Sequence, residues 1–329
     1  MKFFTALVYY LHKIKAPSPR WAEVEASMLY RDPMETYLAV PNPVHLPDLL
    51  QRICVRPPYF ALEQLSWQAG VFTASASSAA RECAERSPMP GAEISRHAAI
   101  AGLCAVALAQ PDDQRRYYLA QEARYTGVLG NAPAGSAVRF SARLLELDKR
   151  RAQAAITAQV GGETIATVEV LYTVLNDSAF SRLFRNRQQP GFTGQELTAL
   201  APLPAGSSRK EGSRLIREVG SIPAETCAGH FDGYPAMPVA ILMGQLAELA
   251  GQAFAEPFHI SAASVQASDF CWAGEAARFE VTPLELTPRG TVFDCAAYAG
   301  ERPVGQMRLV LDRLPRNESR RERHAMASD

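Results

Sequence analysis

The sequence lacks the features that would place it in several large classes of protein. Lysine and arginine together number 34, as do aspartate and glutamate, so no net charge attracts a polyanion and we expect no nucleic acid partner. No apolar run approaches the roughly 20 residues that a membrane-spanning helix needs, so we predict no membrane span. The apolar start, residues 1–11, is interrupted by Tyr9 and Tyr10 and is followed by no small-residue cleavage site, which argues against a secretory signal.

Cysteines are few and widely spaced. They stand at positions 54, 83, 104, 227, 271 and 295. No C-x-x-C pair occurs and several cysteines lie within apolar runs, so we predict buried free thiols rather than zinc ligands or disulfide bonds. Such thiols are typical of a reducing compartment, and we expect a cytoplasmic protein. The histidines at 12, 45, 259 and 324 have no metal-ligand spacing, and we assign them no role.

The sequence does contain an internal repeat at a constant offset. The residues at 135, 139–140, 145–147 and 161 read G, RF, LEL and G, and the same letters stand at 274, 278–279, 284–286 and 300. The offset is 139 throughout (274 minus 135), and no gap is needed to align the two segments. Such a repeat predicts two copies of one structural unit.

Each copy ends in a predicted antiparallel hairpin. In the first copy residues 152–160 and 164–174 flank a Gly-Gly turn, and in the second residues 291–299 and 304–311 flank a Gly-Glu turn. Upstream lies one segment of helical length, residues 94–110 in the first copy and 238–254 in the second, apolar almost all round. A helix without a polar face is buried, so we predict an α+β fold in which a curved antiparallel sheet wraps each long helix.

Composition between the copies predicts the domain limits. Residues 176–212 contain Gln-Pro-Gly and Pro-Leu-Pro-Ala-Gly, which are typical of a linker. We predict an N-terminal extension at 1–57, a first unit at 58–176, a linker at 177–212, a second unit at 213–314 and a charged, disordered tail at 315–329. The extension has no counterpart in the second copy.

One motif carries a family resemblance. Residues 229–238 read G-H-F-D-G-Y-P-A-M-P and run directly into the second apolar helix. This stretch resembles the G-H-F-P-G-x-P-x-M-P-G motif of the 3-hydroxyacyl-acyl-carrier-protein dehydratases, whose hotdog fold is a helix wrapped by an antiparallel sheet. The resemblance covers roughly residues 213–313, and the first copy joins it only through the repeat. It implies a double hotdog, a divergent and covalent version of the family's dimer.

The resemblance also implies a reaction and its residues. His230 would be the base that removes the α proton, since an imidazole is a free base near neutral pH. The backbone N–H of Val239, in the first turn of the helix, would hold the thioester carbonyl, with Phe231 and Gly233 beside the substrate. The substrate would be a 3-hydroxyacyl thioester on the phosphopantetheine of an acyl carrier protein, with no cofactor bound to the enzyme itself.

The sequence departs from the family at the acidic residue of the helix. That residue should stand fourteen positions after the histidine, where this chain has Gly244, and the aligned position in the first copy is Arg96. We predict that His97 is the acid, with a satisfied core histidine as the alternative. In the mirror-image site Glu248 could bind substrate or water, although a structural carboxylate is the other interpretation. We expect one working site or none.

Several functions stay open at this point. The leading hypothesis is a dehydratase in a fatty-acid, polyene or polyketide type of pathway, and the alternatives are a hotdog thioesterase and a non-catalytic protein that binds acyl chains or scaffolds a partner. Basic residues around the linker could dock an acidic carrier protein, although solvated charge is the ordinary explanation. They are Arg182, Arg185, Arg187, Arg209, Lys210, Arg214 and Arg217. A homodimer is possible.

Overall fold

The computed structural model describes residues 42–78, 84–193 and 197–315. The chain divides into two units, residues 1–41 and 42–329, and all that follows concerns the second. The apolar start, the tail from residue 316, His12, Cys83 and His324 lie outside the described residues.

Strands are the commonest regular element of the described chain. They are β1 (Asn42–Pro43), β2 (Glu63–Gln68), β3 (Val71–Ala76), β4 (Arg116–Gly127), β5 (Val138–Leu147), β6 (Arg151–Val160), β7 (Glu163–Asn176), β8 (Ser207–Glu211), β9 (Arg214–Ser221), β10 (Phe258–Ala267), β11 (Ala276–Leu286), β12 (Gly290–Ala299) and β13 (Arg302–Arg313). The helices are α1 (Leu46–Arg52), α2 (Gly91–Leu108), α3 (Asp177–Phe184) and α4 (Val239–Phe254). None of these helices is long and apolar enough to cross a membrane.

All the named strands join in one antiparallel sheet. Its order is β1-β2-β3-β5-β6-β7-β4-β10-β13-β12-β11-β9-β8. The two copies meet where β4 pairs with β10, with Tyr125 opposite Ala263 and Ala123 opposite Val265. Backbone hydrogen bonds therefore run without interruption from one copy into the other, and the two copies lie side by side as the repeat predicts.

The repeat is visible in the strand limits. In the first copy β6 and β7 span residues 151–160 and 163–176. In the second copy β12 and β13 span residues 290–299 and 302–313, so each strand begins 139 residues after its counterpart. Irregularities of pairing recur at the same offset: the shift between Ala158 and Gln159 matches the one between Ala297 and Tyr298. Because a bulge changes the local twist and bend of a sheet, its repetition shows that both copies curve in the same way.

Small residues allow the long helices to lie close to their surroundings. A side chain at Gly102 of α2 would overlap the hydroxyl of Tyr172, which donates a 2.7 Å hydrogen bond to the carbonyl of Ala99. A Cβ at Gly244 of α4 would stand 3.2 Å from the Cβ of Ala92 at the start of α2. The helices of the two copies therefore contact each other through residues with little or no side chain.

Several segments outside the predicted units also contribute to the core. Residues 42–57 include α1, and Leu49 and Ile53 are fully buried in the same hydrophobic cluster as the long helices. The predicted linker contains α3, whose Phe180 and Phe184 join this cluster, and the exposed strand β8. The exact domain limits stay a prediction. The five described cysteines are buried and free, as predicted.

Candidate active site

The His230 loop is fixed by its own backbone. His230 N–H donates to the carbonyl of Cys227 at 2.9 Å, and His230 C=O accepts from Ala236 N–H at 3.1 Å. Gly229 has φ +79°, and a Cβ there would overlap the carbonyl of Arg56, in the segment that precedes the first copy. Only glycine allows this conformation together with the close approach of Arg56, so the sequence before His230 positions it against that segment.

The imidazole of His230 is oriented by one hydrogen bond. Its Nδ1 lies 3.0 Å from the carbonyl of Ala236, which can only accept, so Nδ1 carries the proton and Nε2 is the basic nitrogen. Burial lowers the pKa of His230 to about 4, against a smaller opposing effect of the Ala236 carbonyl. Near neutral pH the ring is therefore uncharged, and no described residue forms a hydrogen bond with Nε2.

An aromatic cluster supports the ring of His230. Phe231 is 1% exposed, and its ring stacks on His230 with centroids 3.9 Å apart. Phe231 also contacts Tyr117 and Phe180, whose own rings stack at 3.6 Å. Phe231, which we predicted beside the substrate, is thus a core residue behind the histidine, and Phe180 brings part of the predicted linker into that core.

The N-terminus of α4 presents an open backbone donor. Pro238 is the N-cap residue, and its carbonyl accepts from Ile241 and Leu242 at 3.0 and 3.3 Å. Val239 N–H has no acceptor within the described part of the chain, and Val239 is partly exposed. Gly233, with φ +72°, forms the turn of the loop and donates to Phe192 C=O at 2.7 Å. Its role is therefore in the turn, while Val239 retains the donor predicted for it.

The first copy contributes Tyr59 and Arg96. The Tyr59 ring meets the His230 ring edge to face at 5.3 Å, and the Arg96 guanidinium carbon lies 5.7 Å from the centre of the same tyrosine ring. Burial raises the pKa of Tyr59, so its hydroxyl stays protonated near neutral pH. Among the described residues this hydroxyl has no hydrogen-bond partner. Sequence reasoning missed Tyr59, because nothing in its local sequence marks it.

His97 does not have the position expected of a residue that donates a proton to a substrate. It is completely buried, its ring lies 5.7 Å from that of Phe140, and its Nε2 is 3.2 Å from the Arg96 guanidinium. Because guanidinium can only donate, Nε2 is the acceptor and the proton is on Nδ1, which is buried without a partner in the described chain. Burial and Arg96 lower the pKa of His97 to about 3. The geometry favours the core-histidine alternative.

Asp232 occupies the place of the family's proline. Its carboxylate lies 4.0 Å from the guanidinium of Arg56, while the other oxygen is buried without a hydrogen bond in the described chain. Burial raises its pKa against the opposing effect of Arg56 and Arg115. Both arginines also line an open groove together with Pro47, Leu50, Gln51 and Pro57.

Glu248 and most of the linker cations form ion pairs. Glu248 is exposed and pairs with Arg217 at 3.0 Å, so it lies on the surface of α4. Arg209 pairs with Glu211 and Glu218. Further pairs join Arg187 to Glu275 and Arg214 to Glu280. In each pair at least one partner is exposed to solvent, and such pairs usually contribute little to stability, but they leave less positive charge for a carrier protein.

Comparison with known proteins identifies the fold. No protein-family model and no curated protein matches the sequence. The structure is similar to a protein named as an oleoyl thioesterase from Lactobacillus plantarum, with 10% identity, a TM-score of 0.53, and coverage of 75% of this chain and 98% of that chain. A protein of unknown function with a hot dog fold from Alicyclobacillus acidocaldarius aligns over 79% of this chain and 100% of that chain, with 10% identity and a TM-score of 0.49.

A third similar structure is a MaoC-like dehydratase, with 11% identity, a TM-score of 0.43, and coverage of 60% of this chain and 76% of that chain. The predicted α+β double hotdog is confirmed. At this level of identity the likeness establishes the fold alone, so the predicted resemblance extends to hotdog proteins in general and not to one family among them.

Proposed function

We propose that the protein is an enzyme that acts on acyl thioesters at His230, and that the reaction is the removal of water from a 3-hydroxyacyl thioester. The observation on which this proposal depends is the orientation of the His230 imidazole. Its Nδ1 is held by Ala236, which leaves Nε2 as an unprotonated base, and the loop that carries His230 leads nine residues later to the open amide of Val239. A base and an oxyanion donor are the two groups that abstraction of a proton next to a thioester carbonyl requires.

Each group has a definite part in this reaction. The Val239 N–H and the α4 dipole hold the carbonyl oxygen, where negative charge develops as Nε2 takes the α proton. The electron pair of the broken C–H bond forms the new double bond, and the 3-hydroxyl leaves as water with a proton from the Tyr59 hydroxyl. The imidazolium then returns a proton to the tyrosine through water, which restores both groups.

Tyr59 replaces His97 as our candidate acid. Its ring contacts His230 directly, and its hydroxyl is protonated and without a partner in the described chain. Arg96, at the position of the family's carboxylate, lies across the tyrosine ring, where its charge favours the phenolate that forms on proton donation. A cation at this position explains how the site can work although Gly244 stands where the family has its acidic residue.

We also propose that the acyl group is delivered on a carrier protein. Arg56 and Arg115 line the groove next to the His230 loop, and two guanidinium groups suit the phosphate of a phosphopantetheine arm. Most of the basic residues around the linker form ion pairs within the chain, so Arg182 and Lys210 would have to supply the remaining attraction.

The test is incubation with 3-hydroxyacyl and trans-2-enoyl thioesters of pantetheine and of an acyl carrier protein, followed by mass analysis. We expect the mass to change by one water, with carrier-bound substrates preferred. Release of a free acid would instead identify a thioesterase. If every acyl thioester binds and none reacts, the protein is a non-catalytic acyl-binding protein and the proposal is wrong.

A further inference from the structure

Two guanidinium groups share the groove next to the His230 loop. Arg56 and Arg115 both line it. The rest of its lining is uncharged and comprises Pro47, Leu50, Gln51 and Pro57. Burial lowers the pKa of Arg56, and the nearby charge of Arg115 lowers it further. Because like charges repel at short distance, an anion bound between the two groups would stabilise both, and the groove has the charge of an anion-binding site.

The side chain of Arg56 uses only one of its nitrogens for hydrogen bonds within the described chain. Nη1 donates to the carbonyls of Ile53 and Val55 at 2.5 and 3.1 Å. The carboxylate of Asp232 is 4.0 Å from Nε, which is too long for a hydrogen bond. Nε and Nη2 of Arg56 therefore have no acceptor among the described residues.

Arg115 likewise forms no hydrogen bond with a carboxylate of the described chain. Its Nε donates to the Cys54 sulfur at 3.3 Å, and its Nη2 donates to the Tyr117 hydroxyl at 3.5 Å. The carboxylate of Asp177, 3.5 Å from Nε, is 57% exposed to solvent. The groove thus presents guanidinium donors of two arginines, and such planar forks match the oxygens of a phosphate group.

Asp232 is the chain's own anion beside this groove. Burial raises the pKa of Asp232, and the charges of Arg56 and Arg115 only partly oppose that effect. One carboxylate oxygen lies 4.0 Å from Arg56, and the other is buried without a hydrogen bond in the described chain. A carboxylate in such surroundings is poorly stabilised. A phosphate would meet the two arginines with more charge and more acceptor atoms than Asp232 supplies.

The same arginine contacts the loop of the proposed base on both sides of His230. Arg56 N–H donates to the carbonyl of Gly229 at 2.9 Å, and its guanidinium is the group that lies 4.0 Å from Asp232. Three residues after Arg56, the ring of Tyr59 meets the ring of His230. A ligand bound to Arg56 therefore lies next to the proposed catalytic site.

We infer that the groove binds a phosphate monoester between Arg56 and Arg115, and that Asp232 competes with this phosphate for Arg56. The phosphate oxygens accept hydrogen bonds from both guanidinium groups, and the carboxylate of Asp232 lowers the affinity of the groove for them. That the phosphate belongs to the arm of an acyl carrier rests on the proposed function, whereas the competition itself does not.

The experiment is a set of affinity measurements by isothermal titration calorimetry at constant ionic strength. The probes are pantetheine, 4′-phosphopantetheine, coenzyme A and inorganic phosphate. We expect 4′-phosphopantetheine to bind about tenfold more tightly than pantetheine, which lacks only the phosphate. Asp232→Asn should raise the affinity for 4′-phosphopantetheine about two- to fivefold and leave that for pantetheine unchanged. Arg115→Gln should lower the affinity for 4′-phosphopantetheine about tenfold.

The probes also distinguish the sources of the phosphate. Preference for 4′-phosphopantetheine over both other phosphates would identify the arm of a carrier protein. Tighter binding of coenzyme A would identify a nucleotide-bearing thioester, and equal binding of inorganic phosphate would identify the free ion. In all three cases the inference requires the same dependence on Asp232 and on the two arginines.

A double substitution separates direct competition from a general change of charge. Asp232→Asn combined with Arg56→Gln should lose the gain that Asp232→Asn produces alone, because Asp232 acts through Arg56. Asp113→Asn removes an exposed acid that pairs with Arg52, and as the matched control it should change no affinity. Equal binding of pantetheine and 4′-phosphopantetheine, or a gain that persists without Arg56, would overturn the inference.

Arg56 also binds the backbone at the end of α1, so circular dichroism first establishes that each variant is folded. If Arg56→Gln does not fold, Arg115→Gln and Asp232→Asn provide the test, and unchanged affinity in either is the negative result. None of the probes carries an acyl group. Absent turnover with phosphate-dependent binding intact would defeat the proposed function alone, so the two failures are distinguishable.

Discussion

The two long helices have similar backbone geometry at their N-termini, but the N–H of their first residues differs in its hydrogen bonding. Val239 N–H has no acceptor in the described chain, whereas Gly91 N–H donates to the Glu85 carboxyl. The backbone of the two copies is repeated down to the positions of the strand irregularities. The two copies therefore have equivalent donors at the starts of their long helices, and a side chain in the preceding loop determines which donor stays without an acceptor from the chain.

Among the substitutions that test this comparison, replacement of His230 should cause the largest loss of turnover. His230→Ala removes the base, and turnover of a 3-hydroxyacyl thioester should fall about 10²- to 10⁴-fold with the fold unchanged by circular dichroism. His45→Ala, at an exposed histidine that pairs with Asp48, is the matched control and should keep full activity. If His230→Ala kept full activity, a catalytic base would no longer distinguish the start of α4 from the start of α2.

Glu85→Gln tests the start of α2, where the Gly91 N–H already donates to the Glu85 carboxyl. Burial raises the pKa of Glu85 to about 7, against the hydrogen bond from Gly91 and with a smaller contribution from Glu93. A raised folded-state pKa means that this group's contribution to stability is complete below its unfolded value, about 4.5, and lost as the pH passes about 7. Among the described residues Tyr125 also lies near this carboxyl, and the charge of Glu85 adds to the effect of burial in raising the pKa of Tyr125.

Glutamine cannot ionise, so the variant should escape that loss. Between pH 5 and pH 8 its free energy of unfolding should rise relative to the native protein by about 2–3 kcal/mol, measured by urea unfolding at both values. Glu93→Gln serves as the control, with a difference under about 0.5 kcal/mol. A pH-independent difference for Glu85→Gln would mean that Glu85 does not titrate as a buried group.

Tyr59→Phe should produce an intermediate loss of activity. Phenylalanine keeps the ring between His230 and Arg96 but removes the hydroxyl, so kcat should fall about 10- to 100-fold with KM nearly unchanged. His97→Gln tests the earlier assignment in the same assay, since a core histidine should affect unfolding more than kcat. Normal turnover in Tyr59→Phe, together with a large loss of kcat in His97→Gln, would return the acid to His97.

The smallest expected effect is on the pH profile. Since burial lowers the pKa of His230 to about 4, the base form is complete at neutral pH and is lost only as the pH falls through about 4. The acid limb of kcat/KM should therefore lie near pH 4 and fall about tenfold per pH unit below it. A limb at the ordinary histidine value, about 6.5, would show that the site is more hydrated than the structure indicates.

The sequence predicted the repeated part of this molecule well. The constant offset and the two apolar segments led to both hairpins and to both long helices, because alternation and helical periodicity are local signals. The motif around Gly229 and Pro238 likewise directed attention to His230 and to the amide of Val239, whose roles in a reaction stay predictions. These features depend on residues that are neighbours along the chain.

The remaining features depend on contacts between distant residues. Tyr59 meets His230 across 171 positions (230 minus 59), and the Phe180 ring reaches the same cluster from a stretch whose composition indicated a linker. Nothing in the local sequence marks Glu85, because its position depends on the hydrogen bonds between its loop and Phe258. His97 was predicted as an acid because its neighbours along the chain do not reveal that Phe140 covers it.

The ends of the sheet have a consequence for the protein at high concentration. In the described part of the chain the outermost strands are β1, which is two residues long and includes Pro43, and β8, whose five residues Ser-Ser-Arg-Lys-Glu are all exposed. Short, proline-containing or charged margins are poor templates for a strand from another molecule. The pairing of β4 with β10 removes the two longest free margins, so the duplicated architecture also protects this strand-rich chain against edge-to-edge aggregation.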